Sequence, residues 1–156
     1  MTASDRIAAT LLTTSFLGLI GIAVHEGYRD TGYLDAVGVA TEGFGSTAGA
    51  VVGKKTTVER ALIKLGDDIS EHERGLKGCL QEVPLFQQEW DAYISWTFNV
   101  GVGAACSSTL VRKLKAGDYR GACDELLRWD KAGGRALPGL TKRRQQEHAK
   151  CIGAGK

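Results

Sequence analysis

The sequence predicts one domain of the α+β class, mostly α-helical, with a short β-hairpin in its N-terminal third. The chain has 156 residues, enough for one compact domain of ordinary size and too few for two domains with separate cores. Its 43% hydrophobic and 24% charged residues are typical of a globular protein. Apolar residues recur at helical spacing from residue 56 onward, whereas residues 25–47 are rich in glycine and contain short β-type fragments.

The charge of the chain is small but unevenly distributed. The net charge of +2 excludes the strong basic excess of a dedicated nucleic-acid binder, so no nucleic-acid partner is expected. Residues 1–109 hold 8 basic and 13 acidic side chains, whereas residues 110–156 hold 12 basic and 5 acidic ones. The C-terminal third is therefore expected to face an anionic partner.

An uncharged run of 18 residues, Ile7–Val24, reaches the lower length limit for a membrane-spanning helix. It is only marginally hydrophobic, because small and polar residues dilute it: Thr10, Thr13, Thr14, Ser15, Gly18 and Gly21. Three interpretations stay open: a cleaved signal peptide, a buried core helix, and an uncleaved anchor that can leave the bilayer. A signal peptide is disfavoured because Arg6 is the only basic residue before the run and cleavage near Ala23 would remove the helix that supports Glu26.

Residues 25–47 contain the carboxylates that are the best candidates for catalysis. Gly27 is predicted to end the preceding helix, and Tyr33–Leu34 and Val37–Val39 are predicted to form a small hairpin. Glu26 then lies on the last turn of an apolar helix, partly shielded from water, whereas Asp35 lies on a polar turn. Two carboxyl groups in such different surroundings are typical of the acid and base of a glycoside hydrolase. The alternative is that both are solvated surface residues.

The spacing favours catalysis, because Glu26, Asp35 and Thr41 follow the pattern E-x8-D-x5-T. This segment resembles the catalytic region of phage-type lysozymes, the muramidases of glycoside hydrolase family 24. The match includes Glu26-Gly27, Arg29, Tyr33, Asp35, Gly38, Thr41, Gly43-Phe44-Gly45 and Thr47. Two positions depart from the family: Ser46 stands where His is usual, and Glu42 where an apolar residue is favoured. Because neighbouring side chains on a strand point to opposite faces, Glu42 is expected to face away from Thr41.

The resemblance implies hydrolysis of the β-1,4 bond between N-acetylmuramic acid and N-acetylglucosamine in peptidoglycan. Glu26 would be the general acid, and Asp35 and Thr41 would position and activate the attacking water on the other face of the sugar. Inversion needs room for that water, which predicts a separation of roughly 6.5 to 9.5 Å between the carboxyl groups of Glu26 and Asp35. No cofactor or metal is implied.

Five helices are predicted after residue 55. The first is a long helix that begins at the capping box Thr56-x-x-Glu59. The others are expected from Pro84 to a stop at Gly101 and Gly103, over 108–116 before Gly117, over 119–131 between the N-cap Asp118 and Gly133, and from Pro138 to Cys151.

The resemblance extends through these helices, with matches at VPL, Phe98-Asn99-Val100-Gly101, Cys106-Ser107-Ser108-Thr109-Leu110, Leu137-Pro138-Gly139-Leu140 and Arg143-Arg144. It implies a lysozyme-like fold, in which a small β-hairpin lobe and a larger helical lobe are joined by a long helix. It also implies substrate contacts at Gly45, Phe98, Asn99 and Arg143. The residues themselves leave other roles open: Phe98 as core, Asn99 as a helix C-cap beside Gly101, and Arg143 on a solvated face.

The four cysteines, Cys79, Cys106, Cys123 and Cys151, show no zinc-type spacing. Taken alone they permit two disulfides in any of three pairings, or four buried thiols. The resemblance implies the pairs Cys79–Cys106 and Cys123–Cys151.

An apolar N-terminus before such a domain resembles a signal-arrest-release endolysin. It implies a membrane segment at residues 1–24, a catalytic domain at residues 25–156, and a chain that functions as a monomer. Residues 7–24 would hold the inactive chain in the host inner membrane, and release would deliver the active enzyme to the periplasm. A catalytically inactive, membrane-anchored module that binds peptidoglycan is the alternative from another class.

Overall fold

A computed structural model describes residues 5–153 of the chain. These residues fall into two compact units, one formed by residues up to Gly18 together with those from His72 onward, the other by Leu19–Glu71. The helices are α1 (Phe16–Glu26), α2 (Val58–Leu80), α3 (Gln87–Val100), α4 (Val102–Cys106), α5 (Thr109–Lys115), α6 (Tyr119–Glu125) and α7 (Pro138–Gly153). The strands are β1 (Ile7–Ala8), β2 (Arg29–Leu34), β3 (Ala40–Gly43), β4 (Pro84–Leu85), β5 (Lys131–Ala132) and β6 (Arg135–Ala136). The described chain is thus a mostly helical α+β fold with small antiparallel sheets, as the sequence predicts.

The apolar run Ile7–Val24 does not form one helix. Its first residues form β1, which pairs antiparallel with β4, and a 3-10 turn follows at Ala9–Leu11. The next four residues are not helical, and α1 begins only at Phe16. Between residues 5 and 153, no helix has both the length and the apolar character needed to cross a membrane.

The unit Leu19–Glu71 contains the predicted helix stop and the hairpin. Helix α1 ends at Glu26, and Gly27 follows with a φ of 70°, a left-handed conformation that favours glycine. Strands β2 and β3 pair antiparallel, with Tyr33 opposite Thr41. The prediction of a strand over Val37–Val39 is wrong. These residues form the turn, because the side chain of Asp35 accepts hydrogen bonds from the N–H groups of Val37 and Val39.

Helix α2 begins one residue later than the capping box in the sequence suggests. Its first helical residue is Val58, so Thr57 occupies the N-cap position, and its hydroxyl accepts the N–H of Arg60 at 3.3 Å. Thr56 is buried instead.

The core of the other unit is centred on α3, which buries Trp90, Tyr93, Ile94 and Trp96 completely. Helix α3 ends at Gly101, as predicted, but Gly103 lies inside α4 and stops nothing. The predicted helix over 119–131 is too long. Helix α6 starts at the expected N-cap Asp118, ends at Glu125 and continues only as a 3-10 turn over Leu126–Arg128. A tight hairpin of β5 and β6 then turns at two glycines with positive φ, Gly133 and Gly134.

Both disulfides belong to this unit. Cys79 in α2 is bonded to Cys106 in α4, and Cys123 in α6 is bonded to Cys151 in α7, with 5.7 Å between the Cα atoms of each pair. These are the pairs that the resemblance implies. The buried hydroxyl of Tyr93 lies 3.2 Å from the sulfur of Cys151, so α3 packs directly on the second bridge.

Candidate active site

Glu26 is the last residue of α1, and its side chain is half-buried. The backbone of Gly45 lies beside its carboxyl group: a Cβ atom placed on Gly45 would be 3.5 Å from Oε2 of Glu26. Gly45 has a φ of 88°, a conformation that a side chain would strain. Glycine therefore keeps this side of the carboxyl group clear of side-chain atoms.

Asp35 both forms the hairpin turn and presents a carboxylate. Its Oδ1 accepts the N–H of Val37 at 3.0 Å and that of Val39 at 2.8 Å. The turn is closed by its backbone, since the N–H of Asp35 donates to the carbonyl of Val39 at 2.9 Å and its carbonyl accepts the N–H of Gly38 at 3.0 Å. These four hydrogen bonds fix the carboxylate relative to the strands.

Thr41 is joined to Asp35 through a single residue. Its hydroxyl donates to the carbonyl of Val39 at 3.0 Å, the same carbonyl that accepts the N–H of Asp35. The residue is 4% exposed. Val39 thus contacts both groups, since its N–H donates to the carboxylate of Asp35 and its carbonyl accepts the hydroxyl of Thr41.

The turn after β3 is held by one face of α2. The backbones of Glu42 and Ser46 exchange two hydrogen bonds, of 2.9 and 3.0 Å, and so close the turn that contains Gly45. Lys64 forms an ion pair with Glu42 and donates to the carbonyl of Ala48 at 2.8 Å. The hydroxyl of Ser46 donates to Asp68 at 2.5 Å.

The third contact of this face is a close approach of backbones. A Cβ atom on Gly43 would lie only 2.6 Å from that of Ala61, so only glycine permits this packing. Ala61, Lys64 and Asp68 lie three and four residues apart on α2, hence on one side of the helix. We call these three residues the α2 grip.

The α2 grip explains both departures from the family pattern. Glu42 is buried, and its carboxylate is paired with the ammonium group of Lys64. Ser46 is buried as well, and its hydroxyl makes a hydrogen bond in place of the usual His. The irregular register of the hairpin lies in β2, between Arg29 and Tyr33, and not at Glu42.

The remaining predicted site residues belong to the other unit. Asn99 is exposed on the last turn of α3, and its Oδ1 accepts a hydrogen bond of 2.8 Å from Arg144. Phe98 is half-buried, with its ring centroid 4.9 Å from that of His72. Arg143 is 6% exposed, and its guanidinium donates to the carbonyl of Ser95 and to Glu147. Arg143 is therefore held inside its unit and does not lie on a solvated face.

The arginine that contacts Asn99 is Arg144, which the sequence suggests to lie either near the cleft or on a solvated face. Arg144 is completely buried, and this burial lowers its pKa to about 10. Burial also raises the pKa of Glu147, which forms ion pairs with both arginines at 3.2 Å. The spacing of Arg143, Arg144 and Glu147 by three and four residues is the sequence signal for this cluster. In the described part of the chain, His, Cys, Asp and Glu side chains form no group of three or more that could hold a metal ion.

Known proteins share both the sequence and the fold. The chain is 42% identical over 136 residues to an endolysin of Acyrthosiphon pisum secondary endosymbiont phage 1, covering 85% of this chain and 92% of that one. It is 35% identical over 145 residues to a SAR-endolysin of Enterobacteria phage P21, covering 92% and 86%. The crystal structure of a P22 lysozyme mutant matches with a TM-score of 0.80 and 32% identity, covering 91% of this chain and 99% of that chain.

The fold and these relatives together define the chain as a lysozyme-type hydrolase. The family model of phage lysozymes matches residues 23–147, and the chain belongs to the phage lysozyme family.

Proposed function

We propose that the protein is a phage endolysin that hydrolyses the β-1,4 bond between N-acetylmuramic acid and N-acetylglucosamine in peptidoglycan. Glu26 donates a proton to the glycosidic oxygen. Asp35 and Thr41 hold and activate the water that attacks the anomeric carbon. The observation that carries this proposal is the connection of Asp35 and Thr41 through Val39, in the same unit as Glu26 and Gly45.

The chemistry follows from the surroundings of each group. Glu26 is half-buried at the end of an apolar helix, and Gly45 keeps one side of its carboxyl group clear of side-chain atoms, so a leaving-group oxygen can approach it. The threonine hydroxyl can donate and accept hydrogen bonds, so a water can be held between it and a carboxylate. In an inverting reaction that water attacks from the face opposite to the acid. Exposed Asn99 and half-buried Phe98 are proposed substrate contacts.

The direct test is turbidity clearing of permeabilised Gram-negative cells. We expect Glu26→Gln to reduce clearing about 10² to 10⁴-fold, because glutamine cannot donate a proton to the glycosidic oxygen. Glu71→Gln is the matched control, since Glu71 is an exposed carboxylate on α2 in the same unit. Equal clearing by Glu26→Gln and the wild type would remove Glu26 from the mechanism. No clearing by either protein would favour the binding-module alternative.

We further propose that residues 7–24 first hold the chain in the host inner membrane and that release delivers it to the periplasm. Support comes from the uncharged run of 18 residues and its diluting threonines and glycines. The similarity to a protein named SAR-endolysin agrees with it. Fractionation of expressing cells should yield membrane-bound inactive and soluble active forms of equal mass. A soluble form found only as a shorter chain would contradict this proposal.

A further inference from the structure

The side chain of Asn99 is held in one orientation by a buried arginine of the same unit. Asn99 is exposed on the last turn of α3, and its Oδ1 accepts a hydrogen bond of 2.8 Å from Nη2 of Arg144 in α7. A guanidinium only donates hydrogen bonds, so the atom of Asn99 that faces it must be the amide oxygen. The amide nitrogen of Asn99 therefore points away from Arg144, with its two N–H groups on the exposed side.

Arg144 is itself fixed in place. Its side chain is completely buried, and its Nε lies 3.2 Å from Oε2 of Glu147, which is buried as well. Glu147 in turn accepts a hydrogen bond of 2.6 Å from the hydroxyl of Ser95 in α3. The guanidinium is thus held between α7 and the C-terminal half of α3, and it presents Nη2 to Asn99.

The pairing of Arg144 is incomplete, which indicates a purpose beyond packing. In the part of the chain that the structure describes, Nη1 of Arg144 is buried and has no hydrogen-bond acceptor. Its Nε forms the ion pair with Glu147 but no aligned hydrogen bond. A buried donor without an acceptor destabilises a fold. Incomplete pairing of this kind is retained mainly at functional sites.

Asn99 does not serve as the C-cap of α3, the other role that the sequence leaves open. The helix ends through its backbone, since the N–H of Gly101 donates to the carbonyl of Thr97 at 2.8 Å. Gly101 has a φ of 87°, a conformation that favours glycine. The oxygen of the Asn99 side chain contacts α7 instead, and the exposed N–H groups are left for a ligand.

We propose that Arg144 sets the polarity of a substrate-binding position at Asn99, so that this position binds an acceptor oxygen and rejects a group that only donates. The proposal rests on the proposed function, because the ligand is peptidoglycan. Suitable oxygens are the carbonyl oxygens of its N-acetyl groups and the carbonyl and carboxylate oxygens of its peptide stems. Arg144 is a positioning residue, since it is buried and acts through Asn99.

Asn99→Asp tests the proposal, because it changes the exposed side of this residue and keeps the buried side. One aspartate oxygen still accepts from Arg144 and adds an ion pair, so the melting temperature should equal or exceed that of the wild type. The other oxygen replaces the N–H donors by an acceptor. We expect KM for soluble peptidoglycan strands to rise about 30-fold, with kcat within about twofold of the wild type. Asn99→Ala removes the contact without opposing the ligand and should raise KM only about fivefold.

The order of these variants separates the proposal from a purely structural role. If Asn99 were only an acceptor for Arg144, Asn99→Asp would be the better tolerated change and Asn99→Ala the worse one. That order, or a wild-type KM for Asn99→Asp, would overturn the proposal. Gln88→Glu is the matched control, since it makes the same change from amide to carboxylate at an exposed position in the first turn of α3. It should leave KM unchanged.

Arg144→Lys tests the positioning role. A lysine lacks the planar fork that reaches Glu147 and Asn99 together, so the amide of Asn99 can turn over and KM should rise about threefold. In the Asn99→Ala background the same change should not raise KM further, because the group that Arg144 orients is gone. An equal rise in both backgrounds would show that Arg144 acts on the fold and does not orient Asn99. If Arg144→Lys does not fold, the Asn99 variants still decide the proposal.

Binding without turnover distinguishes failure of this proposal from failure of the proposed function. In the Glu26→Gln background, calorimetric titration with the same strands should give a Kd about 30-fold higher when Asn99→Asp is added. Equal Kd values would overturn the proposal. If the wild type hydrolyses no strands, the proposed function fails, while this titration still tests Asn99.

Strands stripped of their peptide stems identify the oxygen that Asn99 binds. The ratio of the Kd values with and without Asn99→Asp stays the same on bare strands if Asn99 binds an N-acetyl carbonyl. The ratio falls to about one if Asn99 binds the stem, because bare strands lack that acceptor. Either result supports an acceptor oxygen at this position and assigns its source.

Discussion

At the scale of single residues, Asp35 shows how one side chain serves the fold and the reaction. Both of its turn hydrogen bonds end on Oδ1. The proposed mechanism therefore uses Oδ2 for the attacking water. Only the role in the reaction needs a carboxylate, because an amide oxygen in its place would accept the same two N–H groups of the turn.

This division predicts that Asp35→Asn separates activity from stability. The asparagine oxygen keeps the turn hydrogen bonds, so the melting temperature should stay within about 2 °C of the wild type, while clearing should fall about 10² to 10⁴-fold. Asp35→Ala should lose the turn hydrogen bonds too and lower the free energy of unfolding by about 1 to 2 kcal/mol. Thermal unfolding and turbidity clearing measure the two effects. Wild-type clearing by Asp35→Asn would exclude Asp35 as the group that activates water.

At the scale of elements, α2 positions the turn that lies beside Glu26. The α2 grip reaches Gly43, Glu42 and Ser46 with three residues on one helical face. Gly45 belongs to the same turn, and Thr41 directly precedes it. A shift of this turn relative to α2 would therefore displace Gly45 and Thr41.

Lys64→Met tests this positioning role. The change leaves the Glu42 carboxylate buried without its cation, so the free energy of unfolding should fall by about 3 kcal/mol. Because a displacement of about 1 Å can lower a rate about 10²-fold, kcat should fall more than KM rises. Lys64→Arg should retain most activity, and the double change Glu42→Met with Lys64→Met should recover stability. Urea unfolding and clearing kinetics provide the readouts. A folded Lys64→Met protein with normal kcat would show that the ion pair serves stability alone.

The elements also show which parts of the fold the sequence can predict. Local signals were sufficient for the stop at Gly27, the N-cap Asp118 and the last helix from Pro138, because each depends on neighbouring residues. The strand expected at Val37–Val39 was wrong because the Asp35 side chain forms a turn there, although β-branched residues favour a strand.

Long-range pairing is the part that local patterns do not show. Nothing near Glu42 indicates Lys64, which lies 22 residues further along, and nothing near Ser15 indicates Asp91. For the same reason the run Ile7–Val24 suggested one helix, whereas its polar residues are used by distant carboxylates. The Glu26, Asp35 and Thr41 set is predicted because its members share one local motif, and their catalytic roles stay a prediction. The separation of the Glu26 and Asp35 carboxyl groups stays a prediction.

At the scale of the whole molecule, the basic excess of the C-terminal third is only partly available to a partner. Arg143 and Arg144 are buried with Glu147. Lys113 and Arg128 both pair with Glu125, whose carboxylate is buried as well. Four of the twelve basic side chains in residues 110–156 thus compensate internal carboxylates. The pair of Lys113 and Glu125 links α5 to α6, whereas the pairs of Arg143 and Arg144 with Glu147 lie within α7.

The pairing of Glu125 with Lys113 and Arg128 should make stability depend on pH in a definite direction. The hydrogen bond from Lys113, together with its charge and that of Arg128, lowers the pKa of Glu125 below its ordinary value. The folded state therefore holds the ionised carboxylate more strongly than the unfolded chain does. The resulting stabilisation is complete above the unfolded glutamate pKa of about 4.3, and it is lost as the pH falls through the lower folded-state value.

Glu125→Gln should accordingly lower the free energy of unfolding by about 1 kcal/mol at pH 7, with the difference from the wild type shrinking progressively below about pH 4.3. Urea unfolding at a series of pH values measures the stability of the variant and of the wild type. Arg120→Gln removes the exposed partner of Asp124 and is a suitable surface control, with a much smaller expected effect. A difference between Glu125→Gln and the wild type that persists unchanged through acid pH would mean that the glutamate stabilises by packing. In that case the charge of the carboxylate would contribute nothing to the free energy of unfolding. Pairing with Glu125 would then not account for the basic residues Lys113 and Arg128.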